Sequence, residues 1–264
     1  MVALDELEAA MKRHASKRPA LQLSGTRTAS VAAIFAPNGE ANDSLEVLFI
    51  RRAINPRDRW SGHIAFPGGR VEAGESPLDA ARRETMEEIG VNLNQAAVLG
   101  QLDDRLATRN GLVVSTFVFF LLAKPTTMAL QPNEVSDVLW VPYSILVSTP
   151  RRELRYSVGT YLGRFVPRIF RATLATIPLG TITFPCLYLP SPSAEFPMSH
   201  DREAHEYVLW GVTYSMFLDL QTIMSGDRDA VGSAKPSLAG LYHRIILILV
   251  SLIAVALHSR AMSA

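Results

Sequence analysis

Glu84, Glu87 and Glu88 stand at i, i+3 and i+4 in the segment RETMEEIG. On a helix these carboxylates are neighbours, and like charges at that spacing repel by about 0.2–0.5 kcal/mol per pair. Leu78, Ala81, Thr85 and Ile89 form a narrow stripe beside them, so the acids flank a packing face instead of the freely solvated side. Such a cluster is stabilised in one of two ways. Arg82 and Arg83 can neutralise it as a salt-bridge lattice, or a hard divalent cation can sit among its oxygens together with water and substrate phosphates. The second arrangement is suited to phosphoryl chemistry: a cation neutralises phosphate oxygens and holds a water for attack, and crowded carboxylates raise one another's pKa until one can take that water's proton.

The segment that must position these acids reads as a well-delimited helix. Ser76 is a good cap, Pro77 suits the first helical position, and Gly90 is a natural stop. Around it, SVAAIFA, LEVLFIRR, the GHIAF run, AVLGQL, GLVVSTFVFFLLA and VSDVLWVP read as strands. Residues 205–224, HEYVLWGVTYSMFLDLQTIM, have the length and periodicity of a closing helix, and Leu4, Leu7 and Met11 mark a short amphipathic helix near the start. Strands mixed with a few helices, without regular βα alternation, predict an α+β fold, a mixed sheet between helices forming an α-β-α sandwich.

The chain has 264 residues and a formal charge of +1, from 26 basic and 25 acidic residues, which argues against nucleic acid as a partner. Cys186 is the single cysteine, so no internal disulfide forms and an intracellular location, cytoplasmic or organellar, is expected. The expected organisation is an N-terminal amphipathic leader over 1–25, one catalytic domain over 26–225, a polar linker over 226–240 and a hydrophobic tail over 241–264. The aliphatic run at 245–257 would span about 20 Å as a helix, short of a hydrocarbon core of about 30 Å. Residues 241–258 are therefore read either as a membrane-associating anchor or as a segment that packs on protein.

Gly69, Glu75, Arg83, Glu84, Glu87, Glu88 and Gly90 occur in the order and spacing of the Nudix box, with Thr85 where an aliphatic residue is usual. All seven fixed letters agree, and the sequence therefore resembles the Nudix hydrolases, whose fold is a mixed sheet with a loop–helix–loop catalytic motif. The resemblance implies Mg²⁺ or Mn²⁺ held by Glu84, Glu87 and Glu88, with a carbonyl from the Gly68–Gly69 turn as a further ligand. It implies that Glu88 also serves as base, and that Arg83 and Glu75 form a charge pair orienting the acids. Glu134, in the loop before VSDVLWVP, is either a second base or ligand or an ordinary solvated loop residue.

Substrate choice in this family comes from outside the box. Arg52-Ala53, Arg57, Gly62 and Phe66-Pro67-Gly68-Gly69 resemble the extra motif of the coenzyme A diphosphatase branch, with one additional residue between Arg57 and Gly62 and no threonine ahead of the arginine. A looser form of that motif, with Trp60-Ser61-Gly62-His63 ahead of the Phe-Pro-Gly-Gly, is closer. The expected reaction is metal-dependent hydrolysis of the diphosphate of coenzyme A or a derivative, with Arg52, Arg57, Arg59, Phe66 and Gly68 contacting the substrate. Trp60 either stacks on the base or packs its loop. Two other readings stand beside this one: a Nudix hydrolase of NADH, ADP-ribose or a related diphosphate, and a non-catalytic, membrane-tethered binding module. The latter should have lost its metal glutamates, and none is lost.

Overall fold

A computed structural model of the chain describes residues 3–16, 27–39, 44–55, 58, 60–108, 112–159, 180–189 and 207–226. Its centre is a pair of apolar runs lying side by side. Strand β1 (Arg27–Pro37) and strand β7 (Leu112–Phe120) run parallel, in register from Arg27↔Leu112 to Phe35↔Phe120. Both are buried along most of their length, as near-continuous Ala, Val, Ile and Phe would require for strands covered on two faces.

Strand β2 (Leu45–Arg52) pairs antiparallel with the end of β1 on one side and with β8 (Val135–Pro142) on the other. Past β1, the free half of β2 takes β3 (Ile64–Ala65), with Ile50 opposite Ala65. Strand β4 (Gly68–Arg70) then pairs with the start of β1, Val31 opposite Gly68. Residues 64–70 thus fill the wedge where β1 and β2 part, which carries Phe66-Pro67-Gly68-Gly69 to the middle of the sheet. Strands β5 (Ala97–Gln101) and β6 (Arg105–Thr108) pair with successive stretches of β7 and complete an eight-stranded mixed sheet.

Helix α2 (Pro77–Ile89) covers one face. Its Ala81 and Ile89 pack with Ile34, Leu48, Ile50 and Phe119. Alternation sends the intervening residues to the opposite face, where Phe35 meets Tyr143 of α3 (Tyr143–Ser148), and Tyr143 in turn meets Phe217 of α4 (Gly211–Ser225). Helix α1 (Leu4–Arg13) buries Leu7, Ala10 and Met11 and packs on β5 and α4. The expected layering of a mixed sheet between helices is present.

Residues 208–224 are not one helix. Val208–Trp210 form strand β11, paired through Cys186, Leu187 and Tyr188 with β10 (Thr181–Tyr188), which pairs in turn with β9 (Arg152–Ser157). Val, Leu and Trp suit a strand, and Gly211, at φ +66°, turns the chain into α4. Tyr207, just ahead of β11, is buried and its hydroxyl donates to Asp137. The chain divides into two compact units, Met1–Val231 and Gly232–Ala264. Residues 241–258, read as a tail able to associate with a membrane, lie outside the described residues. Among the described residues no helix is long and apolar enough to cross a membrane.

Candidate active site

Helix α2 is set by local chemistry. The Ser76 hydroxyl accepts from the Asp79 N–H at 3.1 Å and donates to the Asp79 carboxylate at 2.6 Å, Pro77 occupies the first turn, and Gly90 ends the helix at φ +72°. Thr85 is fully buried, yet its hydroxyl is satisfied because it donates to the Ala81 carbonyl one turn back at 2.7 Å. Its methyl remains available for packing. Thr85→Val should therefore shift stability by no more than about 1 kcal/mol in either direction, since the back-bond adds little beyond the helix's own hydrogen bond. Urea unfolding of the two proteins checks this.

Arg83 is the hub of the acidic cluster. Its five N–H groups meet five acceptors: Nε and one Nη2 proton go to the two oxygens of Glu75 at 2.8 and 3.1 Å, and Nη2 also reaches the Arg70 carbonyl at 2.9 Å. Nη1 donates to Glu84 at 3.1 Å and Glu87 at 3.0 Å. The guanidinium has five donors in a fixed plane, so its whole inventory is engaged. Its hydrogen bond to Glu75 holds that carboxyl below the usual range. One arginine thus bridges Glu84 and Glu87 and, through Glu75 and the Arg70 carbonyl, ties them to the glycine loop.

Glu88 is the outlier. Only 2% exposed, it is pushed up to about 8 by burial, with the charges of Glu84 and Glu134 adding to the shift and the Gly68 N–H and Arg52 opposing it. Burial likewise raises Glu84, against the pull of Arg83. The Gly68 N–H donates to Glu88 Oε2 at 2.8 Å across twenty residues of sequence. Gly68 can be nothing else. Its φ is +144°, and a Cβ there would lie 2.2 Å from the Ser30 carbonyl oxygen and 2.5 Å from the Val31 Cα. Gly68→Ala should cost about 3 kcal/mol or more, from backbone strain and steric overlap together. A melting temperature within about 2 °C of the parent would contradict that. At Gly69 an added Cβ would fall 2.4 Å from the Glu84 carboxylate, so glycine there leaves room for the acid.

The loop after β7 brings in the fourth acid. Ala129 and Gln131 donate their N–H groups to the carbonyls of Ile89 and Glu88 at the end of α2, and Glu134 donates its own to Gln131. The Glu134 carbonyl in turn accepts from Ala53, just past β2. This holds exposed Glu134 close enough for its charge to act on both Glu84 and Glu88.

Arg52, at the end of β2, also acts on Glu88, and its charge favours the ionised acid. It is set there by Asp58, which receives its Nε and Nη2 at 3.0 and 2.8 Å and also accepts from the Trp60 N–H. The sequence reading missed Asp58; an acid six residues beyond a basic pair in a polar loop carried no pattern that marked it. Trp60 is 41% exposed, and its N–H is held by Asp58. Arg57 and Arg59 lie outside the described residues. Phe66, expected among the substrate contacts, is instead a packing residue: 2% exposed, it stacks on Phe49 at 5.0 Å and 15°. Its aromatic face holds the glycine loop on the sheet.

Among the described residues no three acidic, histidine or cysteine side chains are already closed around a cation position. The donor set nevertheless fits a hard divalent ion. Arg83 takes one oxygen each of Glu84 and Glu87, and Gly68 one oxygen of Glu88, so each acid keeps a second oxygen without a hydrogen bond from the described residues. All donors are carboxylate oxygens, and one sits buried where charge is costly unless neutralised.

Residues 25–161, just over half of the chain, match the NUDIX domain model. An uncharacterised protein of Schizosaccharomyces pombe is 32% identical over 188 residues, 68% of this chain and 56% of its own length. Nudix hydrolase 3 of Caenorhabditis elegans is 30% identical over 135 residues, 50% of this chain and 55% of its own. A peroxisomal coenzyme A diphosphatase of the same organism is 35% identical over 123 residues, 46% and 50%. The chain thus spans about half the length of the curated relatives it matches. With the loop–helix–loop in place and the family model covering it, the chain belongs to the NUDIX domain family.

Proposed function

We propose that this protein hydrolyses the diphosphate linkage of coenzyme A or a derivative, giving adenosine 3′,5′-bisphosphate and a 4′-phosphopantetheine product, through a domain spanning 26–225. The observation that carries the chemistry is the crowding of Glu84 and Glu134 around the buried carboxylate of Glu88, braced by Arg83. Glu84, Glu87 and Glu88 would hold Mg²⁺ or Mn²⁺, with a carbonyl of the Gly68–Gly69 turn as a further donor; the ion supplies charge neutralisation at the phosphate oxygens.

The chain's own residues do the rest. Burial makes Glu88 a stronger base than an exposed carboxylate, a bound cation would keep it ionised until it takes a proton, and the Gly68 N–H holds one of its two oxygens. Glu134, exposed on its loop, is the second candidate to take the water's proton. Water's oxygen bonds to phosphorus, the bridging P–O bond breaks, and two phosphate monoesters leave with release of a proton. Arg83 and Glu75 keep the acids aimed, and Arg52, held by Asp58, offers its remaining charge to a phosphate. The coenzyme A assignment draws on the Arg52-to-Gly69 segment and on the likeness to a coenzyme A diphosphatase.

A panel of coenzyme A, acetyl-coenzyme A, NADH and ADP-ribose, each with Mg²⁺ or Mn²⁺, tests the proposal. The coenzyme A compounds should show the highest kcat/KM. A preference for NADH or ADP-ribose overturns the substrate. Ligand binding without hydrolysis under either metal overturns the activity and leaves a binding module.

A further inference from the structure

Asp58 is the knot of the loop that joins β2 to β3. Its N–H donates to the Asn55 carbonyl at 3.0 Å, and its carbonyl accepts from the Ser61 N–H at 3.2 Å. Its Oδ1 accepts the Trp60 N–H at 3.0 Å, a carboxylate folded onto the backbone two residues on. Across the neck of the loop, the Asn55 N–H donates to the Ser61 Oγ at 2.8 Å. That leaves Oδ2, which takes both Nε and Nη2 of Arg52, at 3.0 and 2.8 Å. The carboxylate is thus fixed by its own loop, and the long arginine side chain comes to it. With the two side chains 30% and 19% exposed, the pair is shielded enough to hold a geometry that a fully solvated pair would not.

The sheet directs Arg52 at the acids. Leu48 and Ile50 of β2 pack in the same apolar cluster as Ala81 and Ile89 of α2, and alternation puts Arg52 on that face too. The neighbouring bulge leaves this alternation intact, because the extra residue, Ser136, belongs to β8: Arg51 lies opposite Asp137 and Arg52 opposite Val135. Three backbone hydrogen bonds then tie the end of β2 to Glu88. Ala53 donates to the Glu134 carbonyl at 2.8 Å, Glu134 to that of Gln131 at 3.0 Å, and Gln131 to that of Glu88 at 2.8 Å. The Arg52 charge accordingly acts on Glu88, yet among the described residues its guanidinium donates to Asp58 alone. A guanidinium close to a buried carboxylate with an oxygen to spare would ordinarily pair with it. Here the arginine is turned to Asp58 instead.

We propose that Asp58 is a positioning residue that holds Arg52 off Glu88, keeping the acid open to a divalent cation and the Nη1 edge of the guanidinium open to a substrate phosphate. The inference rests on the metal and diphosphate reading above and adds to it the residue that keeps the protein's own cation from occupying its acid. Without Asp58, Arg52 closes on Glu88 as an internal counter-ion and competes with the metal.

The test titrates Mg²⁺ by calorimetry, without substrate, into the parent, Asp58→Ala, Arg52→Ala and the double variant. Asp58→Ala should raise the Mg²⁺ dissociation constant about 10-fold or more, the scale of one close charge pair. Arg52→Ala should bind Mg²⁺ at least as tightly as the parent, and the double variant should match Arg52→Ala within about twofold. Were Asp58 to act only through its own charge, or only as a brace of its loop, the loss would persist in the Arg52→Ala background. Asp58→Asn keeps an oxygen for the Trp60 N–H, so it carries the comparison where the alanine variant folds poorly; its shift should have the same sign and also vanish with Arg52→Ala. An unchanged constant in both Asp58 variants, or a loss that survives removal of Arg52, overturns the proposal. A parent that binds no Mg²⁺ overturns the reading of the acids and this inference with it, which tells the two failures apart. At saturating Mg²⁺, methylenediphosphonate, a diphosphate that cannot be hydrolysed, should bind Asp58→Ala and Arg52→Ala more weakly than the parent, and the double variant no worse than Arg52→Ala. Equal binding by all four overturns the phosphate half.

Discussion

Glu88→Gln is expected to lower turnover by about 10²- to 10⁴-fold, the usual worth of a general base, while making the cation-free protein more stable. The two effects have one cause. Burial holds the Glu88 carboxyl at about 8 in the folded protein, against an ordinary value of 4.5. Between those two values the folded chain keeps a proton that the unfolded chain has given up, so stability falls as pH rises through that window. At pH 7.5 the penalty, discounted for relaxation of the site, is about 1–3 kcal/mol. Glutamine removes the charge and still offers an oxygen to the Gly68 N–H, so the variant should melt about 3–10 °C higher at that pH. The gap should narrow as pH falls and close below about pH 3.5, where Glu88 is protonated in both states. Adding Mg²⁺ should raise the melting temperature of the parent more than that of the variant, because only the parent presents a charged Glu88 oxygen to the ion. A variant that melts no higher than the parent at pH 7.5, or turns over at the parental rate, contradicts the assignment.

The second large effect is at Arg83. Arg83→Ala should reduce kcat by about 10- to 100-fold, as loss of a group that orients ligands typically does. It should also cost about 1–3 kcal/mol, since five hydrogen bonds disappear from a region that is only partly shielded from solvent. The midpoint for Mg²⁺ decides what the arginine is for. Were it only a neutralising charge, removing it would leave the acids more negative and tighten cation binding. The five-acceptor fork points the other way: without it, Glu75 and the Arg70 carbonyl no longer tether the acids to the glycine loop, and the midpoint should move to higher Mg²⁺. Arg83→Lys should stay nearer to alanine than to the parent, because an ammonium cannot reproduce a planar fork. Activation curves over a range of Mg²⁺ concentrations for the three proteins separate the two roles.

Much of this site was legible from local signals. Ser76, Pro77 and Gly90 delimit α2 through capping and backbone preference, which depend only on near neighbours, and the structure places the helix between them. The apolar runs became strands for a similar reason: Val, Ile and Phe in unbroken sequence need burial on two faces, and β1 and β7 have it. What stayed hidden depends on contacts distant in sequence. The pairing of Gly68 with Glu88 spans twenty residues, and the fork from Arg52 to Asp58 depends on how a polar loop folds back. Phe66 was misread because it follows a two-residue strand, too short for alternation to say which way a side chain points. Trp210 was assigned to a helix because Val-Leu-Trp before a helical pattern extends its periodicity smoothly; only pairing with Cys186, Leu187 and Tyr188 makes it a strand.

The parallel pairing of β1 with β7 has a bearing on the order in which the molecule is built. Its partners are separated by 85 residues, from Arg27 to Leu112, and the whole loop–helix–loop lies between them. Closing so long a loop is entropically slow, and a parallel pair forms late when its strands are far apart in sequence. On the ribosome, β1 must wait until Phe120 has emerged before its second neighbour arrives. During that interval the spacing of the acids on α2 is already set by the helix itself, while Glu134, which lies beyond Phe120 in the chain, is the last acid to join them.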